Sequence, residues 1–169
     1  GIAGGADIIL LPEIPYDPDL LGETINRRAK EGKRFTIIAV AEGAITKEDA
    51  KLSKKELKEK LANKTTPSVA YEVAKQLEAR TTQEVRITVP GHTQRGGIPC
   101  AYDRVLSTRL GAEAARAILK GDYGCMIALI DGETKRVPLG EVAGKLKYVD
   151  PKSKIIKEAK MVGISFGDE

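Results

Sequence analysis

Tryptophan is absent from the sequence, and aromatic residues make up only 4% of its 169 residues. A buried core must therefore be built from aliphatic side chains, chiefly those of Ile, Leu, Val and Ala. No apolar run approaches the ~20 residues that a membrane-spanning helix requires. The longest run, at positions 125–130, has the length of a strand. The sequence thus predicts a protein without a membrane partner.

Cysteine and histidine are also scarce. The two cysteines, Cys100 and Cys125, form no CxxC pair, which indicates reduced thiols in a cytoplasmic protein. His92 is the only histidine, so the chain cannot build a multi-histidine metal site. The GxxxxGK[ST] and GxGxxG phosphate-binding patterns are missing, as are the GxSxG and HExxH catalytic patterns.

The composition is that of a globular protein, with 41% hydrophobic and 31% charged residues and a net charge of +4. Much of the positive charge lies in the stretch Lys47–Lys64, where Lys and Glu alternate at helical spacing. Such mixing is typical of a solvated helix face. Nucleic-acid binding is the alternative, but the stretch has no interleaved aromatics for base stacking, and we expect no nucleic-acid partner. The chain opens with Gly1 and has no signal peptide pattern, so we expect a fragment or a processed product.

The first half of the chain has the pattern of a parallel α/β protein. Residues 6–11 predict a buried strand, Asp17-Pro18 begins a helix that Gly32 closes, and residues 35–41 predict a second strand. This strand–helix–strand order implies a parallel sheet with a right-handed crossover. An exposed helix over 46–63 and a helix beginning at Thr66-Pro67 follow.

The second half continues the alternation. Residues 85–89 predict a third strand, and a loop over 90–99 leads to a long helix at 102–120. A fourth strand over 124–130 turns at Asp131-Gly132 and returns through 135–137, and the tail predicts a short helix and an irregular segment. The fold class is therefore α/β, with a Rossmann-like three-layer arrangement of a parallel sheet and flanking helices.

Polar side chains follow the predicted strands, where ligands bind in open parallel sheets. Glu13 follows the first strand, Arg86 lies in the third, and the loop after it carries His92 and Arg95 among glycines. Arginine suits phosphate oxygens, and a carboxylate accepts hydrogen bonds from sugar hydroxyls. Each residue alone also fits a cap, turn or surface role. Together they predict an anion-binding α/β domain whose substrate the residues leave open.

These residues resemble the signature of the bacterial-type 6-phosphofructokinases, in the ATP- or pyrophosphate-dependent family. The stretch PGHTQRGG at 90–97, followed by Tyr102-Asp103-Arg104, is similar to that family's Gly-His-x-Gln-Arg-Gly-Gly loop and next helix. The segments GGAD…PEIP at 4–15 and IAVAEG at 38–43 resemble its preceding strands. Pro90 departs from the family, which commonly has Leu there.

The resemblance implies a role for each candidate residue. Glu13 would hydrogen-bond fructose 6-phosphate, His92 and Arg95 would bind the sugar and its 6-phosphate, and Arg86 would reach the phosphate across a subunit interface. The reaction implied for the whole enzyme is phosphoryl transfer from ATP or pyrophosphate to the C1 hydroxyl of the sugar in glycolysis. None of the four residues would act as the catalytic base.

The resemblance also implies that this chain is a C-terminal part with an incomplete phosphofructokinase fold. The donor site, the catalytic base and the ligands of Mg²⁺ would lie upstream. Residues 1–97 would belong to the fructose-6-phosphate-binding domain, 98–137 would return to the donor domain, and 138–169 would return toward the acceptor domain. A homodimer or homotetramer is expected, with the isolated piece inactive. The alternative function is a non-catalytic module that binds sugar phosphates or other anions.

Overall fold

A computed structural model describes residues 1–63 and 65–169 of the chain. The chain divides into two compact units, the first formed by residues 1–89 and 148–169 and the second by residues 90–147. The helices and strands, in chain order, are β1 (Ile8–Leu10), α1 (Pro18–Lys30), β2 (Ile38–Val40), α2 (Lys54–Ala62), α3 (Val69–Glu78), α4 (Ala101–Leu119), β3 (Cys125–Ile130), β4 (Glu133–Pro138), α5 (Leu139–Val142) and α6 (Lys154–Met161).

Strand β1 has a parallel neighbour on each side in the first unit. On one edge it pairs with β2, with Ile8 opposite Ile38. On the other edge, the Ile9 N–H donates to the Ser165 carbonyl at 2.9 Å, and the Ser165 N–H donates to the Asp7 carbonyl at 3.0 Å. The predicted parallel pairing of the first two strands is confirmed, and the return of the tail adds a further bridge that the strand pattern did not predict.

Helices cover both faces of this sheet. Ile8 and Leu10 pack on one face against Leu21 of α1 and Val73 of α3. Ile9 points to the opposite face, where the core contains Ile14, Ile156, Ala159 and Phe166. Because alternate side chains of a strand face opposite sides, both faces must be apolar for a strand covered in this way. The predicted α/β class with helices flanking a parallel sheet is confirmed.

The capping of α1 follows the sequence closely. Asp17 is extended, its carboxylate accepts a hydrogen bond from the Asp19 N–H at 3.0 Å, and Pro18 occupies the first helical position. The helix ends at Lys30, and Gly32 has a φ of +81°, a left-handed conformation that glycine adopts without strain. Both predicted ends of the helix are confirmed.

The lysine-rich stretch is only partly helical. A 3₁₀ turn at Asp49–Lys51 precedes α2, and Ser53 separates the two because it begins α2 with a capping box. The Ser53 hydroxyl accepts from the Glu56 N–H at 3.3 Å, and the Glu56 carboxylate accepts from the Ser53 N–H at 2.9 Å. The predicted continuous helix over 46–63 is therefore wrong at its start. Helix α2 has no buried residue, in agreement with a solvated face, and Lys64 lies outside the described residues.

The next helix, α3, begins two residues after Pro67. Ser68 caps it by accepting from the Ala70 N–H at 3.2 Å, and the Glu42 carboxylate accepts from the Val69 N–H at 3.2 Å. The predicted start at Thr66-Pro67 is wrong because these two side chains satisfy the free N–H groups of a later first turn. The helix packs through one apolar face, on which Val69, Val73, Ala74 and Leu77 are buried and Ala70 is half-buried.

Residues 85–89 form no strand, so the prediction of a third strand is wrong. Val85 still packs against the core, but a groove of about 200 Å³, lined by Ile38 and Val40 of β2 and by Val85 and Ile87, lies along this segment. Alternation of apolar and polar residues is typical of a strand. In the structure, however, only Val85 is half-buried, and Ile87 and Val89 are exposed. Pairing additionally needs a strand edge within hydrogen-bonding distance, and the residues of the segment make no such bonds to β2.

The second unit consists of α4 and the antiparallel hairpin β3–β4, followed by α5. The helix predicted over 102–120 is confirmed to within one residue, and Gly121 follows it with a φ of +73°. The predicted hairpin is also confirmed, since Asp131 and Gly132 have φ values of +53° and +80°, as a type I′ turn requires. Arg136 of β4 donates to Glu113 of α4 at 2.7 Å, and its hydrogen bonds are the main reason that the pKa of the Glu113 carboxyl is lowered.

The tail forms two helices, α5 and α6, where the sequence predicted one. Across the described part of the chain, no helix is both long and apolar enough to cross a membrane.

We predict that Gly167→Ala destabilises the first unit. A Cβ atom at this position would lie 2.8 Å from Leu21 Cδ2 and 2.9 Å from Tyr16 Cβ, and the φ of +73° disfavours a side chain. The overpacking should cost about 1–3 kcal/mol, and the left-handed backbone conformation should cost about 1–2 kcal/mol more. The free energy of unfolding, measured by urea denaturation, should fall by about 2–5 kcal/mol.

Gly163→Ala is the matched control for that variant. Gly163 also has a positive φ, +90°, but a Cβ there would meet no atom within 4 Å. Gly163→Ala should therefore lower the free energy of unfolding only by the backbone cost of about 1–2 kcal/mol. Equal losses in the two variants would show that the packing around Gly167 is not as described.

We predict alkaline destabilisation through Tyr16. Burial raises the pKa of Tyr16 from 10.0 to about 12, while its hydroxyl donates to Gln76 Oε1 at 3.0 Å. The Tyr16 hydroxyl ionises near pH 10 in the unfolded chain and near pH 12 in the folded chain. The free energy of unfolding should therefore fall by about 2–3 kcal/mol as the pH rises from 10 to 12. Denaturation at pH 9 to 12 should show this loss, and Tyr16→Phe should remove it.

Tyr71→Phe serves as the control, since Tyr71 is 41% exposed. Its stability profile should match the unsubstituted chain. A profile for Tyr16→Phe that falls as steeply as that of the unsubstituted chain would contradict the assignment.

Candidate functional site

The carboxyl ends of β1 and β2 lie side by side in the first unit. The Ala41 N–H donates to the Leu10 carbonyl at 3.0 Å, which holds the two chain segments together just past the strands. A tight turn follows β1, closed by the Ile14 N–H donating to the Leu11 carbonyl at 3.3 Å, and this turn carries Glu13. Glu13 therefore projects from the edge of the sheet at which ligands of parallel α/β folds bind.

The carboxylate of Glu13 is half satisfied. Its Oε1 accepts a hydrogen bond from the Val149 main-chain N–H at 3.0 Å. Its Oε2 is buried and has no hydrogen-bond partner within residues 1–63 and 65–169. Buried acceptors are nearly always paired, so this oxygen suits a donor from a ligand, such as a sugar hydroxyl.

Glu42, which follows β2 at the same edge, has a structural role. Its Oε1 accepts from the Val69 N–H at the first turn of α3. A carboxylate at this position also interacts favourably with the positive end of the helix dipole. The structure thus uses the carboxylate at this strand end to begin a helix.

Arg86 lies in the segment 85–89 of the first unit, and its side chain is 82% exposed. Its guanidinium is held by a neighbour, with Nε 2.9 Å from Glu84 Oε1 and Nη2 3.1 Å from Glu84 Oε2. Both side chains are largely in solvent, where such a pair contributes little stability. A phosphate dianion could therefore take the place of Glu84 on the same two donors.

His92 and Arg95 lie in the second unit, on a 3₁₀ turn that spans Gly91–Arg95. In a helix of three residues per turn, positions i and i+3 are eclipsed, so the two side chains lie on one side of the turn. Gly91, its first residue, has a φ of +50°, and Gly97, just beyond its end, has a φ of +94°, values that other residues rarely adopt. Both side chains are exposed and have the donors that a phosphorylated ligand requires.

The four predicted residues are thus divided between the two units. Glu13 and Arg86 belong to the first, and His92 and Arg95 to the second. The structure brings His92 and Arg95 together on one turn and places Glu13 at the sheet edge. Convergence of all four on one ligand stays a prediction.

The described residues provide no metal centre. Within residues 1–63 and 65–169, no group of three or more His, Cys, Asp or Glu side chains could hold a metal ion.

Sequence reasoning missed one contributor to this site, the main-chain N–H of Val149. A backbone donor carries no residue-type signal, and 136 residues separate it from Glu13. The eclipsed placement of His92 and Arg95 was also missed. Their three-residue spacing was a visible signal, but only a 3₁₀ turn gives it that meaning.

Known proteins match this chain over nearly its whole length. A sequence profile described as Phosphofructokinase matches residues 1–118. The ATP-dependent 6-phosphofructokinase of Spirochaeta thermophila is 49% identical over 168 residues, covering 99% of this chain and 46% of that protein. The protein of the same name from Chloroflexus aurantiacus is 43% identical over 169 residues, again 46% of its length. The chain thus spans about half the length of the curated relatives that it matches.

Solved structures agree with these sequence matches. The phosphofructokinase of Saccharomyces cerevisiae has a TM-score of 0.60 and 29% identity, covering 97% of this chain and 19% of that one. The T-state structure of Pichia pastoris phosphofructokinase has a TM-score of 0.53 and 31% identity, covering 95% of this chain and 16% of that one.

Proposed function

This chain belongs to the phosphofructokinase family, and on that premise we propose that it is the C-terminal part of a 6-phosphofructokinase and supplies the sugar-phosphate half of the active site. The observation that carries the proposal is the Glu13 carboxylate at the carboxyl end of β1, with Oε2 buried and without a partner among the described residues. A hexose hydroxyl is a donor that such an oxygen can accept.

The cationic residues provide the complementary half of the recognition. We assign His92 and Arg95 to the sugar and its 6-phosphate, because they share one side of an exposed turn. Arg86 would bind the same phosphate from a neighbouring subunit, exchanging its Glu84 partner for phosphate oxygens. A planar guanidinium presents two parallel donors to either partner.

The reaction that we propose for the whole enzyme is phosphoryl transfer to the C1 hydroxyl of fructose 6-phosphate in glycolysis. ATP is the proposed donor, since the relatives that match this chain are named ATP-dependent. Phosphoryl transfer depends chiefly on positioning and on stabilisation of charge. The residues of this chain would hold and orient the acceptor, and the catalytic base would come from the other half of the enzyme.

Magnesium would accompany the nucleotide and neutralise charge on its phosphates. The described residues hold no cluster suited to that ion, so we assign its ligands to the missing half and no step to residues of this chain. With this role we also propose a cytoplasmic homo-oligomer. Residues 1–97 and 138–169 would belong to the acceptor domain and residues 98–137 to the donor domain, an assignment that rests on the family resemblance, since the structure groups 90–97 and 138–147 with its second unit.

Arg95→Ala in the complete enzyme tests the assignment. Loss of a charge-assisted contact to the 6-phosphate should raise the KM for fructose 6-phosphate by about 10- to 100-fold. The KM for ATP should change less than twofold, because the donor binds elsewhere. Steady-state kinetics with each substrate varied in turn will separate the two.

Arg34→Ala is the matched control for that measurement. Arg34 is an exposed arginine that precedes β2 and so lies toward the opposite end of the sheet from the proposed site. Both KM values should stay within twofold of the unsubstituted enzyme. An equal rise of both KM values in Arg95→Ala would contradict the proposed role of Arg95.

The second candidate is a non-catalytic module that binds sugar phosphates, and the exposed His92–Arg95 turn favours it for the chain in isolation. We predict that the isolated chain turns over no fructose 6-phosphate in the presence of ATP and Mg²⁺. Calorimetric titration with fructose 6-phosphate, fructose and inorganic phosphate identifies what it binds. Turnover by the isolated chain would disprove the assignment of the donor half to missing residues.

A further inference from the structure

The side chain of Glu13 is held by a backbone group that comes from far along the chain. The Val149 N–H donates to Oε1 at 3.0 Å, across a separation of 136 residues. The second oxygen, Oε2, is buried and unpaired among the residues that the structure describes. One oxygen is therefore fixed by the protein, and the other has no protein partner among the described residues.

This division matters because a glutamate side chain is flexible. Three rotatable bonds separate its carboxylate from the backbone, and each rotamer directs the oxygens differently. A hydrogen bond to a charged carboxylate is stronger than one between neutral groups, so the Val149 N–H favours the rotamers of Glu13 that keep Oε1 within its reach. Because the donor belongs to the main chain, it cannot rotate away as a side-chain donor could.

The segment that carries Val149 is itself fixed. The Asp150 carboxylate accepts from the Lys152 N–H at 2.9 Å, and the Asp150 carbonyl accepts from the Ser153 N–H at 2.9 Å. This turn leads directly into α6, whose Ile156 and Ala159 are buried in the core beneath β1. The position of the Val149 N–H is thus tied to the same sheet that presents Glu13.

We propose that the main-chain N–H of Val149 is a positioning group for substrate binding. It holds Oε1 of Glu13 so that Oε2 accepts a sugar hydroxyl without first losing side-chain freedom. Pre-ordering of this kind raises affinity by removing a cost of binding. The inference rests on the proposed function, because it takes Glu13 to be a residue that binds the sugar.

The test removes the main-chain N–H of Val149, and a second variant controls for the contacts of the Val149 side chain. In the complete enzyme, Val149→Pro removes the donor, whereas Val149→Ala shortens the side chain and keeps the donor. We expect Val149→Pro to raise the KM for fructose 6-phosphate about tenfold, as loss of one such bond predicts. The KM for ATP and the kcat at saturating substrate should change less than twofold, and Val149→Ala should leave all three within twofold.

Val149→Pro in a Glu13→Ala background separates an effect on the position of Glu13 from a general effect on folding. If Val149 acts only through Glu13, Val149→Pro should have no further effect on the KM in that background. An equal effect in both backgrounds would overturn the inference in favour of a purely structural role. A lower KM in Val149→Pro would also overturn it, since the N–H would then compete with the sugar for Glu13.

The two levels of the proposal fail in different ways. If Glu13→Ala alone leaves the KM for fructose 6-phosphate unchanged, the proposed sugar-binding role is wrong. If Glu13→Ala raises that KM but Val149→Pro does not, only the positioning role is wrong. If Val149→Pro does not fold, Val149 can instead be replaced by its α-hydroxy acid, which removes the N–H and keeps the side chain. The expected and the contradicting results for the KM are then the same as for Val149→Pro.

Discussion

The hydrogen bonds on the two edges of β1 are the constraint on which the rest of the first unit depends. β1 has only three residues, yet it pairs with β2 on one side and accepts the bridge at Ser165 on the other. Its central position buries both faces, and this is why Ile8, Ile9 and Leu10 are all apolar. The turn that carries Glu13 begins where these bonds end, and the helix that ties down Val149 packs against the same strand.

Local signals in the sequence predicted elements whose ends are fixed by nearby residues. The Asp17-Pro18 cap, the stop at Gly32 and the Asp131-Gly132 turn each depend on a few adjacent residues, and all three are found in the structure. Features set by distant partners were not predicted. The Val69 start of α3 depends on Glu42, and the failure of residues 85–89 to pair depends on the geometry beside β2. Such contacts leave no periodic signal in the sequence.

The candidate site shows the same division. Residue types and their place after strands pointed to Glu13, Arg86, His92 and Arg95, because charge and hydrogen-bonding capacity are properties of side chains. The structure adds what residue types cannot give: the half-satisfied carboxylate of Glu13, the Glu84 partner of Arg86 and the eclipsed pair on the 3₁₀ turn. Glu42 is the opposite case, since a polar residue at a strand end proved to be a helix cap.

The bridge at Ser165 also constrains the order in which the chain can fold during synthesis. β1 leaves the ribosome before its second neighbour, which lies more than 150 positions later and is made only after all of residues 90–147. The hairpin and α4 of that intervening unit rely on local contacts, which form quickly, whereas the closing bridge carries the entropic cost of a very long loop. The inserted unit is thus able to acquire its structure first, while the backbone N–H and C=O groups on one edge of β1 stay unpaired until the segment at Ser165 arrives.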